Sequence, residues 1–406
     1  MMPLRAPLAV AFCALLMPLF ALADSSPAMV EARRHFMDAD VNAQTFQHTA
    51  RIFETARVNK GGTVWRLAEA PQRLDFSYAF EGQQLPAEGF AARTFTNALL
   101  ILKRDRIVYE KYFNGAGPDS HFLSMSVAKS VVSTLIGMAI ADGLIGSIDD
   151  PLVKYLPELK GGGYDGVTIR QALLMRSGVD WDEIYDFDGS GELSRLFHAS
   201  IVENRIRFVE PARKLRRTHP PGSVFNYSTL ETAVLGWALE RAVKQPLAEY
   251  MSRRWWQPAG MQSHAFWMLD GVPAVGRPLA GMGFNATARD YARFGLMMLH
   301  EGRANGRQLV PAAWVREATG ADPATRRAGY QYQWWLSGSR AFMAMGLQGQ
   351  YIYVNPDTAT IVVKLGYSPL TDVRAGAEGL AFFAAVSAWQ PATPEVYDRH
   401  PQGVPQ

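Results

Sequence analysis

The chain has 406 residues, a formal charge of +3, and 48% apolar and 11% aromatic residues. A chain of this size and make-up has core to spare. Its near-neutral balance gives no field that would steer it to nucleic acid or anionic lipid.

Residues 1–23 read as a secretory signal peptide. Arg5 supplies the positive start, Leu8 to Leu22 is mostly apolar, and Ala21-Leu22-Ala23 is a small-x-small site predicting cleavage after Ala23. A membrane anchor fits less well, because the apolar run is shorter than the roughly 20 residues of a span and Pro18 interrupts it. The expected location is periplasmic or secreted, with no stable membrane anchor once the signal is removed. The only cysteine, Cys13, lies inside this segment, after Phe12 where a lipoprotein signal would want a small residue. The mature protein is therefore expected without disulfides, thiolate metal sites or a thiol nucleophile.

Residues 24–95 read as an N-terminal extension, with helical patches over Val30 to Thr55 and glycines at Gly61, Gly62 and Gly82. The main domain is expected over 96–390. Ala98 to Leu102 and Ile107 to Tyr112 flank a polar turn and predict a hairpin. A helix follows from Ser126 to Gly143; it is apolar nearly all round, hence central and buried. Thr168 is a candidate N-cap for Ile169 to Arg176. Trp181 to Glu192 is an acidic loop with no basic residue. Helical patterns return over Leu230 to Arg254 and Thr287 to His300. The last third changes period: Tyr330 to Leu336, Ala341 to Met345, Gln350 to Val354 and Thr358 to Lys364 predict antiparallel strands, with a turn at Asn355-Pro356-Asp357. Gly379 to Trp389 predicts a closing helix, and 391–406 a Pro-rich tail. The plan is α+β: an antiparallel sheet built from both ends of the chain and flanked by helices, with an all-helical subdomain inserted over roughly 150–285.

The chemistry centres on Ser126-Val-Ala-Lys129, the only Ser-x-x-Lys in the chain. Residues three apart on a helix share a face. Serine is a weak nucleophile until a neighbour activates it, and a lysine buried near a helix N-terminus is pushed toward its neutral form. An N-capping serine and a surface lysine are the plain alternative. Tyr227, between a Pro-Gly turn and a helix, is placed to relay a proton or to be a packed aromatic. Gly346 to Gln350 can offer backbone N–H groups beside the Ser126 N–H as an oxyanion hole, or be a simple bulge. No Gly-x-Ser-x-Gly elbow and no His-Glu-x-x-His occurs, and the eight histidines are scattered. His121 reads as structural.

In this order the three features resemble the serine β-lactamase and penicillin-binding-protein superfamily, in its class C-like branch of esterases and oligomer amidases. The stretches Phe122 to Lys129, Asp149 to Leu159, Gly163 to Gly178 and Phe284 to Asp290 are similar to 6-aminohexanoate-dimer hydrolases. The resemblance runs from about Ala98 to Trp389 and implies a β-lactamase/transpeptidase-like fold. It also implies a metal-free, cofactor-free serine hydrolase acting on a small ester or amide. Ser126 would be the nucleophile, Lys129 and Tyr227 the general base and acid, and the backbone of Ser126 and Gln350 the oxyanion hole. Leu347, Gln348 and Gly349 would face the substrate, as would Tyr185 with Asp188 or Glu192 in the acidic loop, and Asn285 beside Tyr185.

Two departures bear on the substrate. Thr229 stands where the family has the Asn of Tyr-x-Asn, and Leu347-Gln348-Gly349 replaces Lys-Thr-Gly, removing the cation expected for a β-lactam carboxylate. Lys364-Leu365-Gly366 is expected at the far end of the next strand, out of reach. Two other readings remain: penicillin-binding or β-lactamase activity on cell-wall peptides, and a non-catalytic binding or sensor protein on this fold.

Overall fold

The computed structural model describes residues 26–186, 190–320, 329–338 and 340–391. The signal segment, the tail from 392 onward and Asp188 lie outside the described residues.

The elements that frame the site are β1 (Ala68–Glu69), β2 (Thr96–Lys103), β3 (Arg106–Tyr112), α1 (Val127–Ala141), α2 (Thr229–Val243), α3 (Ala288–Leu299), β4 (Tyr330–Gln331), β5 (Trp334–Ser337), β6 (Ala341–Gly346), β7 (Gln350–Asn355), β8 (Thr360–Gly366) and α4 (Val373–Ala388). They build an eight-stranded sheet in the order β4-β5-β6-β7-β8-β2-β3-β1. Every pairing is antiparallel except that of β1 with β3. The hairpin and the C-terminal strands thus meet at the β8–β2 seam. Strands β2 and β8 are buried along their whole length, and their apolar runs, Ala98 to Leu102 and Ile361 to Val363, suit strands covered on both faces.

Helix α3 packs across β7, β8 and β2 on one face. On the other face α4 brings Phe382 and Phe383 against Phe90, Tyr351 and Tyr353, with the Phe90 and Phe382 rings stacked at 3.7 Å. Helix α1 is buried from Val127 to Ala139 between β6, β7 and α2, its polar residues Lys129, Ser130, Ser133 and Thr134 included, which explains why its sequence is apolar nearly all round.

Two features depart from the expected plan. The regular elements of 150–285 are mostly helices, many of them short, but its strand Ala265–Met268 joins a second, four-stranded sheet with Thr55–Val58, Phe284–Thr287 and His121–Leu123. The helical pattern of Leu230 to Arg254 is also broken. Lys244 turns left-handed at φ 54°, Pro246 follows, and a separate short helix begins at Leu247. The segment before Thr96 shares the core of the main body: Phe36 stacks on Phe197 at 6.1 Å, and Gln348 donates to the Met37 carbonyl at 2.9 Å.

Candidate active site

Ser126 occupies the N-cap position of α1, but its hydroxyl makes no capping hydrogen bond. The residue before it, Met125, sits at φ 45°. A left-handed non-glycine residue costs about 1–2 kcal/mol and persists only where its surroundings impose it. One turn along α1, Lys129 is 1% exposed. Its Nζ donates to Ser126 Oγ at 2.9 Å, Thr229 Oγ1 at 3.0 Å and the Gly281 carbonyl at 2.9 Å. It also lies 4.9 Å from the centre of the Tyr227 ring. Burial brings Lys129 down from the ordinary lysine range to about 8, although the Glu183 carboxylate acts in the opposite direction.

Tyr227 precedes the Ser228 cap of α2 and packs on Tyr330 and Trp335, with ring centres 6.1 and 5.7 Å away. Burial raises its phenol above the ordinary tyrosine range, against the influence of the Ser126 hydroxyl. The two shifts diverge: the lysine is moved toward its neutral form, and the tyrosine is held protonated.

Ser126 and Tyr227 open onto a cavity of roughly 460 Å³. Its wall includes Tyr185, Trp335, Met345, the turn Gly346 to Gly349, and Leu370, Val373 and Leu380 around α4. Asp372 is the only charged lining residue among the described ones. The turn between β6 and β7 is tight, with Gln348 at φ 58° and Gly349 at φ 92°. Gly346 touches the entrance of α1: a Cβ there would stand 3.0 Å from Ser126 N and 2.5 Å from the Ser124 carbonyl oxygen. That contact brings the Gly346–Leu347 peptide beside the Ser126 backbone.

Several expected site residues meet here. Ser126, Tyr185, Tyr227, Leu347, Gln348 and Gly349 all line the cavity, with Lys129 directly beneath Ser126. Two do not. Gln350 pairs with Gly346 in the ladder, is 1% exposed and is absent from the cavity wall. Its side chain binds the carbonyls of Gln348 and Gly366. Asn285 is fully buried on the second sheet, where it accepts from Thr49 Oγ1 at 2.8 Å and donates to the Gly283 carbonyl. His121 bonds the His264 carbonyl and does not line the cavity.

The expectation for Lys364 also needs correction. Antiparallel pairing sets Lys364 opposite Tyr351, so the far end of β8 is the site end, and its Nζ lies 3.4 Å from the Gly349 carbonyl. It is nevertheless buried behind the turn and does not line the cavity. Burial lowers it to about 7.

Sequence reasoning missed Glu183, which it saw only as one of several acids in the 181–192 loop. Glu183 accepts from both the backbone and the hydroxyl of Thr229 at the start of α2. No local signal marks it, since its partner is 46 residues away.

The arrangement can be compared with known proteins. The profile of the family described as Beta-lactamase matches residues 87–397. The 6-aminohexanoate-dimer hydrolase of Paenarthrobacter ureafaciens is 31% identical over 358 residues, covering 84% of this chain and 88% of that protein. Esterase EstB of Burkholderia gladioli is 31% identical over 158 residues, 36% of this chain and 39% of that one. A solved structure from Bacillus anthracis with a provisional 6-aminohexanoate-dimer hydrolase assignment superposes with a TM-score of 0.77. It is 24% identical and covers 87% of this chain and 96% of its own; at that identity the likeness is one of fold.

Proposed function

We propose a reaction for a chain that belongs to the β-lactamase family and is a serine hydrolase: cleavage of small esters or linear amides through an acyl-enzyme on Ser126. The observation that carries the reading is the 2.9 Å contact between Lys129 Nζ and Ser126 Oγ, buried beneath the cavity.

Neutral Lys129 takes the Ser126 proton as Oγ bonds to the substrate carbonyl carbon. The negative charge that develops on the carbonyl oxygen is held by the N–H groups of Ser126 and, in place of Gln350, of Leu347. Tyr227, kept protonated by its surroundings, donates its proton to the leaving alcohol or amine as the C–O or C–N bond breaks, and regains one from Lys129. Water then attacks the acyl-enzyme by the same proton route in reverse, releasing the acid and restoring Ser126.

The cavity favours apolar chains. Leu370, Val373 and Leu380 extend its apolar wall to the surface, and Val373 is 84% exposed. Among the described lining residues there is no Lys or Arg to neutralise a β-lactam carboxylate. The same proposal includes export, on the strength of the signal features of residues 1–23.

The test is Ser126→Ala assayed on a short chromogenic ester and a linear aliphatic amide. Turnover should fall to background on every substrate the wild type cleaves. An alanine variant with wild-type turnover ends the reading.

A further inference from the structure

Lys129 has three neighbours that can accept a hydrogen bond, and their chemistry differs. The Gly281 carbonyl accepts and cannot donate. A threonine hydroxyl can do either, but Thr229 spends its one proton on Glu183. Its oxygen therefore meets Lys129 Nζ, 3.0 Å away, only as an acceptor. A neutral amine has two N–H bonds and one lone pair. With Thr229 and Gly281 each claiming an N–H, the lone pair is left for the third neighbour, Ser126 Oγ.

We propose that Glu183 is a positioning residue: by holding the Thr229 proton it aims the lone pair of Lys129 at Ser126. The proposal rests on the roles given above to Ser126 and Lys129. Glu183 is itself firmly held, accepting from Trp181 Nε1 at 2.7 Å, Thr229 N at 3.1 Å and Tyr185 Oη at 3.2 Å. It thereby joins the acidic loop to the N-terminus of α2. In Glu183→Gln the N–H groups of Trp181 and Thr229 claim the one amide oxygen and the NH2 turns to Thr229 Oγ1, so the Thr229 hydroxyl is released to donate to Lys129 and competes with Ser126 for the lone pair.

The charge has a second effect. The groups facing Lys129 are the Ser126 and Thr229 hydroxyls, the Gly281 carbonyl and the Tyr227 ring, with Glu183 behind Thr229. Glu183 is the carboxylate that favours the protonated lysine. Its removal leaves burial unopposed, so Lys129 loses its proton at lower pH.

The test measures kcat and KM across pH 6–10 on a chromogenic ester for the full chain and its Glu183→Gln, Thr229→Val, Thr229→Ser and Ser126→Ala variants. Glu183→Gln should lower the plateau kcat by roughly 10- to 100-fold with little change in KM, part of the range a positioned base supplies. Its acid limb should move to lower pH. Thr229→Val should lose kcat to a similar degree, Thr229→Ser should keep most of it, and adding Glu183→Gln to Thr229→Val should cost little more kcat. A Glu183→Gln enzyme with the wild-type kcat and an unmoved limb overturns the proposal, as does full multiplicative loss in the double variant. Should Glu183→Gln fail to fold, Thr229→Val with wild-type kcat overturns it instead. Ser126→Ala separates the two levels: if it is active the hydrolase reading falls, whereas an inactive Ser126→Ala beside a normal Glu183→Gln removes only the role of Glu183.

Discussion

Gly346→Ala isolates the contact on which the oxyanion site depends. Gly346 has φ −131° and ψ 154°, extended backbone that alanine adopts without strain, so the cost of the substitution is one of space. The added Cβ would meet the Ser124 carbonyl oxygen at 2.5 Å, Met125 Cβ at 2.8 Å and Ser126 N at 3.0 Å. Reaching ordinary contact near 3.4 Å requires the turn and the entrance of α1 to separate by about 0.4 to 0.9 Å. Backbone on both sides leaves no flexible side chain to absorb the shift. Overpacking of this kind costs about 1–3 kcal/mol of stability. The larger effect is on rate, because a displacement approaching 1 Å at a reacting centre, or the loss of one oxyanion donor, costs about 100-fold or more in kcat. Steady-state kinetics on a chromogenic ester, with thermal unfolding in parallel, reads both. Gly62→Ala, where a Cβ meets nothing within 4 Å, is the control and should match the wild type. A Gly346→Ala enzyme with wild-type kcat would refute the placement of the oxyanion site at the Gly346–Leu347 peptide.

Two further predictions concern buried ionisable groups. Lys129 is lowered to about 8, so its neutral fraction, and with it kcat/KM, should climb as pH rises through about 8; a flat profile from pH 6 to 9 would remove Lys129 as the base. Glu231, buried on α2 with one oxygen unpartnered, is raised by burial to about 8 from the ordinary 4.5. The folded state then keeps a proton that the unfolded chain has lost between those values, so Glu231 makes stability fall as pH rises through that window. Glu231→Gln removes this dependence, and its Tm advantage over the wild type should grow from pH 5 to pH 8; a difference that stays constant contradicts the shift.

Elements with a strong local pattern were legible from residues alone. The hairpin of β2 and β3, the buried helix after Ser126 and the strands β6 to β8 each follow from apolar runs bounded by turn residues. Helix α4 was read too short, because Gly376 and Gly379 weaken the pattern over its first turns, where Asp372 caps it by accepting from Ala375 N. The strand Ala265–Met268 was missed because a short apolar run does not distinguish helix from strand.

The sequence by itself determined the family and the identities at the centre of the site: Ser126 and Lys129 share a helix face because they are three residues apart, a relation that needs no tertiary information. Only the folded chain decided how those residues are held. The register of β6 against β7 pairs Gly346 with Gln350, and the fold sets Gly346 against the Ser126 backbone. Antiparallel pairing brings Lys364 to the site end of its strand yet leaves it behind the turn. Packing of the acidic loop on α2 puts Glu183 on Thr229, whose oxygen in turn meets Lys129 from 100 residues away. Hydrogen bonds and burial act through space, so the groups that tune a nucleophile are set by which surfaces the fold presses together, and spacing along the chain carries no record of them.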